Sequence, residues 1–165
     1  MKILVISEHD NSILSSSTLN AISAAKLIHT EIDVLVAGHN CKEVAEKASK
    51  IPVVKNIIHV DSSEYKNFIA ENVSNLIINL SKDYSHIVAP STTMGKNYMP
   101  RVAAILDVMQ ISDIIKVIDD STFQRPIYAG NALSTIKSSD KIKIITVRTT
   151  AFEPTEDSGG TGVII

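Results

Sequence analysis

The sequence is short of the residues that most often announce chemistry. Cys41 is the only cysteine in 165 residues. No intrachain disulfide can form, a reduced compartment is the simpler reading, and one thiol cannot build a thiolate metal cluster. Charge of either sign is not in excess. Sixteen Lys and Arg face 18 Asp and Glu, for a formal net charge of -2, so nothing electrostatic argues for nucleic acid or an anionic membrane as a partner. No apolar run approaches the ~18 residues that a membrane span needs. The apolar part of MKILVISEHD is too short for a signal peptide. His9, His29, His39, His59 and His86 are scattered, and no pair has the spacing of a helical zinc motif. No metal site is expected. Neither G-x-G-x-x-G nor G-x-x-x-x-G-K-[ST] occurs, which removes a dinucleotide fingerprint and a P-loop. These absences point to a soluble intracellular protein.

What is present is the composition of an ordinary globular domain, 44% hydrophobic and 21% charged, long enough to bury a core. Short apolar runs alternate with helical patterns. Strands are expected at 2–7, 32–37, 54–60, 85–89 and 141–147, each bounded by polar or turn residues. Runs of this kind suit strands covered on both faces. Helices are expected from about Leu19 to His29, Lys42 to Lys50, Tyr65 to Leu80 and Lys96 to Leu106. Strand and helix in alternation imply crossover units. The fold class is therefore α/β, a three-layer sandwich with a mainly parallel sheet. After Asp107 the rhythm changes. Ile114–Ile118, Arg125–Ala129 and Ala132–Lys137 read as further strands, with Gly130-Asn131 as a turn. The composition of EPTEDSGGTG, residues 153–162, is that of a linker. The expected organisation is one α/β domain over residues 1–152 and a linker stub over 153–165.

Three places could carry function. Glu8, His9 and Asp10 follow the first strand, and the carboxyl ends of parallel strands form the ligand crevice. A polar loop is the plainer account of them. An enzyme using Glu8, His9 or His86 as acid or base lacks a paired constellation, so no catalytic residue is assigned. In STTMGK, Thr92, Thr93, Gly95 and Lys96 open a helix, where free N–H groups and the helix dipole favour an anion. Capping by Thr92 or Thr93, with Gly95 allowing close packing, explains the same residues. In QRPIYAGNAL, Arg125, Pro126, Ile127, Tyr128, Gly130 and Asn131 combine residue types that anchor interfaces. An amphipathic edge hairpin is the alternative.

Longer segments carry a resemblance. SEHDNSILSSSTLNAISAAKLI, DVLVAGHN, SHIVAPSTTMGKNYMPRVAAILDVMQISDII, TFQRPIYAGNALSTI and IKIITVRTTAFEP resemble the alpha subunit of electron-transfer flavoproteins, from Lys2 to about Pro154. The resemblance implies an adenine-nucleotide alpha-hydrolase-like fold and a heterodimer with a beta subunit. It implies an electron carrier, not an enzyme, whose one FAD takes electrons from acyl-CoA and related dehydrogenases. The electrons pass to a quinone oxidoreductase or another acceptor. It places the protein in the bacterial cytoplasm or the mitochondrial matrix. It also implies that the nucleotide site used by the beta subunit is not used in alpha. The family's flavin residues belong to a second domain that has no matching positions here, so none is assigned. The expected role is a scaffold and interface domain that binds no flavin itself. The competing expectation is a standalone nucleotide-binding module resembling a universal stress protein.

Overall fold

The computed structural model describes residues 1–165. Ten strands are present: β1 (Ile3–Ile6), β2 (Ile32–Gly38), β3 (Val54–Asp61), β4 (His86–Pro90), β5 (Gln110–Ile114), β6 (Lys116–Val117), β7 (Thr122–Ile127), β8 (Ala132–Lys137), β9 (Lys143–Val147) and β10 (Val163–Ile164). Four α-helices connect them: α1 (Ser16–Ile28), α2 (Lys42–Ala48), α3 (Ala70–Leu80) and α4 (Thr93–Ile105). Seven strands form one sheet in the order β10-β3-β2-β1-β4-β9-β5, and its pairings are parallel. All five expected core strands lie in this sheet. Strands β6, β7 and β8 form a separate antiparallel sheet.

Pleating splits the apolar residues of each central strand between two layers. Ile3 and Val5 of β1 join Val34 and Val36 of β2 against Ala21, Ile22 and Ala25 of α1 and Val44 and Ala48 of α2. Leu4 and Ile6 point the other way, onto Ile77 of α3 and Met99 and Val102 of α4. The sheet is thus the middle of three layers. Every residue of β1, β2 and β4 is buried, which is why these segments read as mostly apolar runs and not as alternating ones; the polar exceptions, Asp33 and His86, are buried with hydrogen-bond partners.

The departures from the sequence expectations fall where conformation is unusual. Helix α3 begins at Ala70 and not Tyr65. Residues Ser63–Tyr65 form a 3-10 turn capped by Ser62, and Phe68 holds φ 51°, outside helical space. Helix α4 starts three residues early, at Thr93, because Thr92 caps it. The strand expected at Ile114–Ile118 is divided between β5 and β6, with Asp113 at φ 59° producing a bulge against β9. The strand expected at Arg125–Ala129 ends at Ile127. Tyr128, Ala129 and Gly130 all take positive φ, so the hairpin closes through Tyr128–Asn131 and not through Gly130-Asn131 alone, with Ile127 paired to Ala132.

The segment 153–165 lies along the domain. Gly160 N–H donates to the Lys50 carbonyl at 2.6 Å and Gly162 N–H to that of Ser49 at 2.8 Å. β10 then adds a parallel edge strand beside β3. No helix is long and apolar enough to cross a membrane.

Candidate functional site

From β1 the chain moves outward through β2 to β3, then returns to the other side of β1 as β4. This reversal makes the gap between β1 and β4 the topological switch point, where open parallel sheets hold ligands beyond their carboxyl ends. The residues that reach it are Glu8 from β1 and Ser91 and Thr92 from β4.

Glu8 fills that place. It is buried, and its carboxylate accepts hydrogen bonds from the Ser17 hydroxyl at 2.8 Å and from the Thr92 hydroxyl. Ser17 stands in the first turn of α1, and Thr92 caps α4 by accepting from Gly95 N–H at 3.3 Å. One carboxylate therefore serves the N-termini of both helices, whose partial positive charge it complements. The Glu8 backbone is bound as firmly: its carbonyl accepts from Ser15 N–H at 2.8 Å, and its N–H donates to Thr18 Oγ1 at 2.9 Å. A ligand phosphate at this point would have to displace a buried, doubly bonded carboxylate.

Of the suggested anion residues, Thr92 is thus engaged by Glu8, Gly95 is buried, and Thr93 and Lys96 are exposed. Arg148, at the end of β9, is held by Asp113, with Nε 3.0 Å from Oδ2. The largest cleft, about 720 Å³, lies elsewhere, between α1 and residues 151–156.

His9 and His86 are not brought together. His86 begins β4, at the opposite end of the strands from His9, with Nδ1 2.9 Å from Ser85 Oγ and Nε2 2.7 Å from the Asp120 carbonyl. His9 is buried against the Phe68 ring, 4.9 Å between centroids, and its Nδ1 accepts from Asn11 N–H at 3.1 Å. Burial pushes the His9 imidazole from 6.5 down to about 4, overriding Asp10 and the Ala37 carbonyl, which favour the proton. Between those two values the unfolded chain holds a proton that the folded chain rejects. Stability is then complete above about pH 6.5 and falls as pH drops toward 4, by about 3 kcal/mol from this group. Urea unfolding of wild type and His9→Gln from pH 7 to pH 4 tests it: the variant's curve should be flatter, and parallel curves would contradict the assignment.

The interface candidates fall at one end of the antiparallel sheet. Arg125, Pro126 and Ile127 are half-buried in β7, while Tyr128, Gly130 and Asn131 are exposed at the hairpin tip, Tyr128 by 79%. Arg125 Nε is shielded from solvent and unpartnered. Ile118 and Leu133 of the same sheet region are also exposed.

One grouping had no signal in the sequence. Cys41, His59 and Asp61 bring a sulfur, an imidazole nitrogen and a carboxylate oxygen within 4.8 Å of one another. The expectation of no ligand cluster rested on spacing along the chain, and these donors meet only because β2 and β3 pair.

The chain matches the family model of the electron transfer flavoprotein domain over residues 3–165. It is 51% identical to the electron transfer flavoprotein subunit alpha of Pseudomonas aeruginosa over 164 residues, covering 99% of this chain and 53% of that protein. The mitochondrial subunit alpha of Dictyostelium discoideum is 50% identical over 170 residues, covering 98% and 48%. The subunit alpha of Paracoccus denitrificans is 43% identical over 160 residues, covering 96% and 52%. The chain spans about half the length of these relatives.

Proposed function

The chain belongs to the electron transfer flavoprotein domain family, and we propose that it is the N-terminal scaffold and interface domain of an alpha subunit. In this reading residues 1–152 are the α/β domain, and 153–165 begin the connection to the remainder of a full-length subunit. The complete protein is an electron carrier and not an enzyme. It pairs with a beta subunit and holds one FAD outside this α/β domain. Its electrons come from acyl-CoA and related dehydrogenases and go to a quinone oxidoreductase or another acceptor. The compartment is the bacterial cytoplasm or the mitochondrial matrix, in keeping with the bacterial and mitochondrial relatives.

The observation that carries the scaffold reading is Glu8. Its carboxylate occupies the switch point through Ser17 and Thr92, so the crevice that would hold a nucleotide is closed by the chain itself. This weighs against the standalone nucleotide-binding module, which the comparisons do not favour either. The anion residues Thr92, Thr93, Gly95 and Lys96 then serve as a helix start.

The partner surface in this reading is Arg125, Pro126, Ile127, Tyr128, Gly130 and Asn131. A large exposed aromatic beside an Arg whose Nε lacks a partner is the combination that anchors interfaces. The tight Tyr128–Gly130 turn limits the ordering cost of binding. Replacing Arg125 and Tyr128 together by Ala should weaken binding to a beta subunit by about 2 kcal/mol or more. The melting temperature should stay within a few degrees. Calorimetry for affinity and circular dichroism for melting give the two numbers. Unchanged affinity with a large fall in melting temperature would show that these side chains support the fold and not the interface.

A further inference from the structure

The parallel register of β2 and β3 sets Val36 beside His59 and Gly38 beside Asp61. The chain leaves β2 at Gly38, turns through His39 and Asn40, and enters α2 with Cys41 before its first residue. Asn40 takes φ 55°, which folds the turn back over the end of β3. Three donor types thus converge at the carboxyl ends of two neighbouring strands.

Their spacing is that of a coordination shell. Cys41 Sγ lies 3.5 Å from His59 Nε2. A tetrahedral zinc ion bound by sulfur at about 2.3 Å and by nitrogen at about 2.0–2.1 Å sets those atoms about 3.5 Å apart. A carboxylate oxygen of Asp61 completes a group whose members all fall within 4.8 Å. Asp61 Oδ1 is already steered by Asn40 N–H at 2.8 Å, the kind of outer hydrogen bond that orients a ligating carboxylate. His39 Nδ1 lies 3.8 Å from the same oxygen and, though shielded from solvent, has no hydrogen-bond partner.

The wall behind the cluster is built for close approach. A side chain at Gly38 would meet Asn11 Oδ1 at 2.4 Å, His9 Cε1 at 2.8 Å and Cys41 Sγ at 3.0 Å. Only a glycine lets the sulfur and the His9 ring edge crowd against the strand end. Cys41 is fully buried, whereas the His39 and Asp61 side chains are about one-third exposed. The donors therefore sit in a wall open to solvent on one side.

We propose that Cys41, His59 and Asp61 form a divalent transition-metal site, with zinc as the fitting ion and solvent as the fourth ligand on its open side. Sulfur and imidazole select zinc over magnesium or calcium, which take oxygen shells. Binding releases the Cys41 thiol proton to solvent, because the thiolate is the ligand. The ion ties the β2–α2 turn to the end of β3, and its role is to clamp this edge of the sheet. The site is separate from the Glu8 crevice and from the β7–β8 hairpin, so it stands or falls independently of the proposed function.

The test uses untagged, metal-free, reduced protein and two probes, zinc and cobalt(II). One equivalent of cobalt should give an intense near-ultraviolet thiolate-to-metal band and visible bands of tetrahedral intensity. Zinc should abolish them and raise the melting temperature. Cys41→Ser and His59→Ala should each weaken zinc about 100-fold or more, since loss of an outer-shell partner alone costs 10–100-fold. His39→Ala should weaken it less, and His29→Ala not at all. The wild-type cobalt spectrum does not depend on any variant folding. Cobalt binding without a thiolate band, or zinc affinity unchanged in Cys41→Ser, would overturn the proposal and leave the 3.5 Å contact as a thiol–imidazole hydrogen bond.

Discussion

Phe123→Ala should destabilise the protein by about 3–5 kcal/mol, seen as a lower denaturant midpoint at unchanged slope. Phe123 is fully buried and is among the largest enclosed side chains. It belongs to the same core as Ile111 and Ile114 of β5 and Ile145 and Val147 of β9. Its own strand, however, is part of the separate antiparallel sheet. The other residues of β7 are only half-buried, and β8 alternates between half-buried and exposed. Phe123 is therefore the rivet that fixes β6–β8 to the body of the domain. Its removal leaves a cavity between two sheets that the main-chain hydrogen bonds of β7 and β8 cannot close. Protease cleavage within 116–137 should accelerate as well, because the hairpin loses its anchor. In the proposed function the same variant should bind a beta subunit poorly, since Tyr128 is carried on that hairpin. A loss below about 1 kcal/mol would mean that neighbouring side chains collapse into the gap, and the rivet reading would fail.

Gly95→Ala should cost about 3 kcal/mol or more, although alanine is the better helix former by about 1 kcal/mol. The sign of the result is therefore diagnostic. Gly95 is the third residue of α4 and is buried. A Cβ there would stand 2.0 Å from the Pro90 carbonyl oxygen and 3.2 Å from its carbon. Both are backbone atoms at the end of β4, a strand flanked by β1 and β9, so they cannot swing aside as a side chain would. The helix must lift. Lifting it withdraws Thr92 from Glu8 and unpacks Met99 and Val102 from the second core. Thermal melts of Gly95→Ala and Gly95→Val against wild type give the answer: both should melt lower, valine more so. A rise for alanine would show that α4 is not held as closely as the structure has it.

The core strands and all four helices could be read from the sequence because burial writes itself locally. KILVIS, IDVLVA and SHIVA are apolar on both faces along most of their length, and only a strand covered by two layers needs that. A cap at Thr92 or Thr93 was legible for the same reason, since hydroxyl, then glycine, then helical spacing is a short-range pattern; only the structure selects Thr92. β5 was not legible. QISDI is half polar, and Asp113 in left-handed space breaks the period that a strand would show. The strand entering the hairpin ends two residues before its expected limit, since nothing in Tyr128 or Ala129 as residue types announces positive φ. β10 has no local signal, because two apolar residues after a Gly-rich stretch carry no period at all.

Composition and apolar period, which act over a few residues, determined that this chain is an α/β sandwich with these core strands, and its longer segments determined its family resemblance. Only the tertiary structure decided which side chains meet. Glu8 and Thr92 are 84 residues apart, and their bond follows from β1 lying beside β4. Cys41 and His59 meet through the register of β2 on β3, which one residue of slip would undo. Burial is a property of one residue and its near neighbours, whereas a site is a distance between strands. That distance is set by strand order and register, which no local pattern encodes.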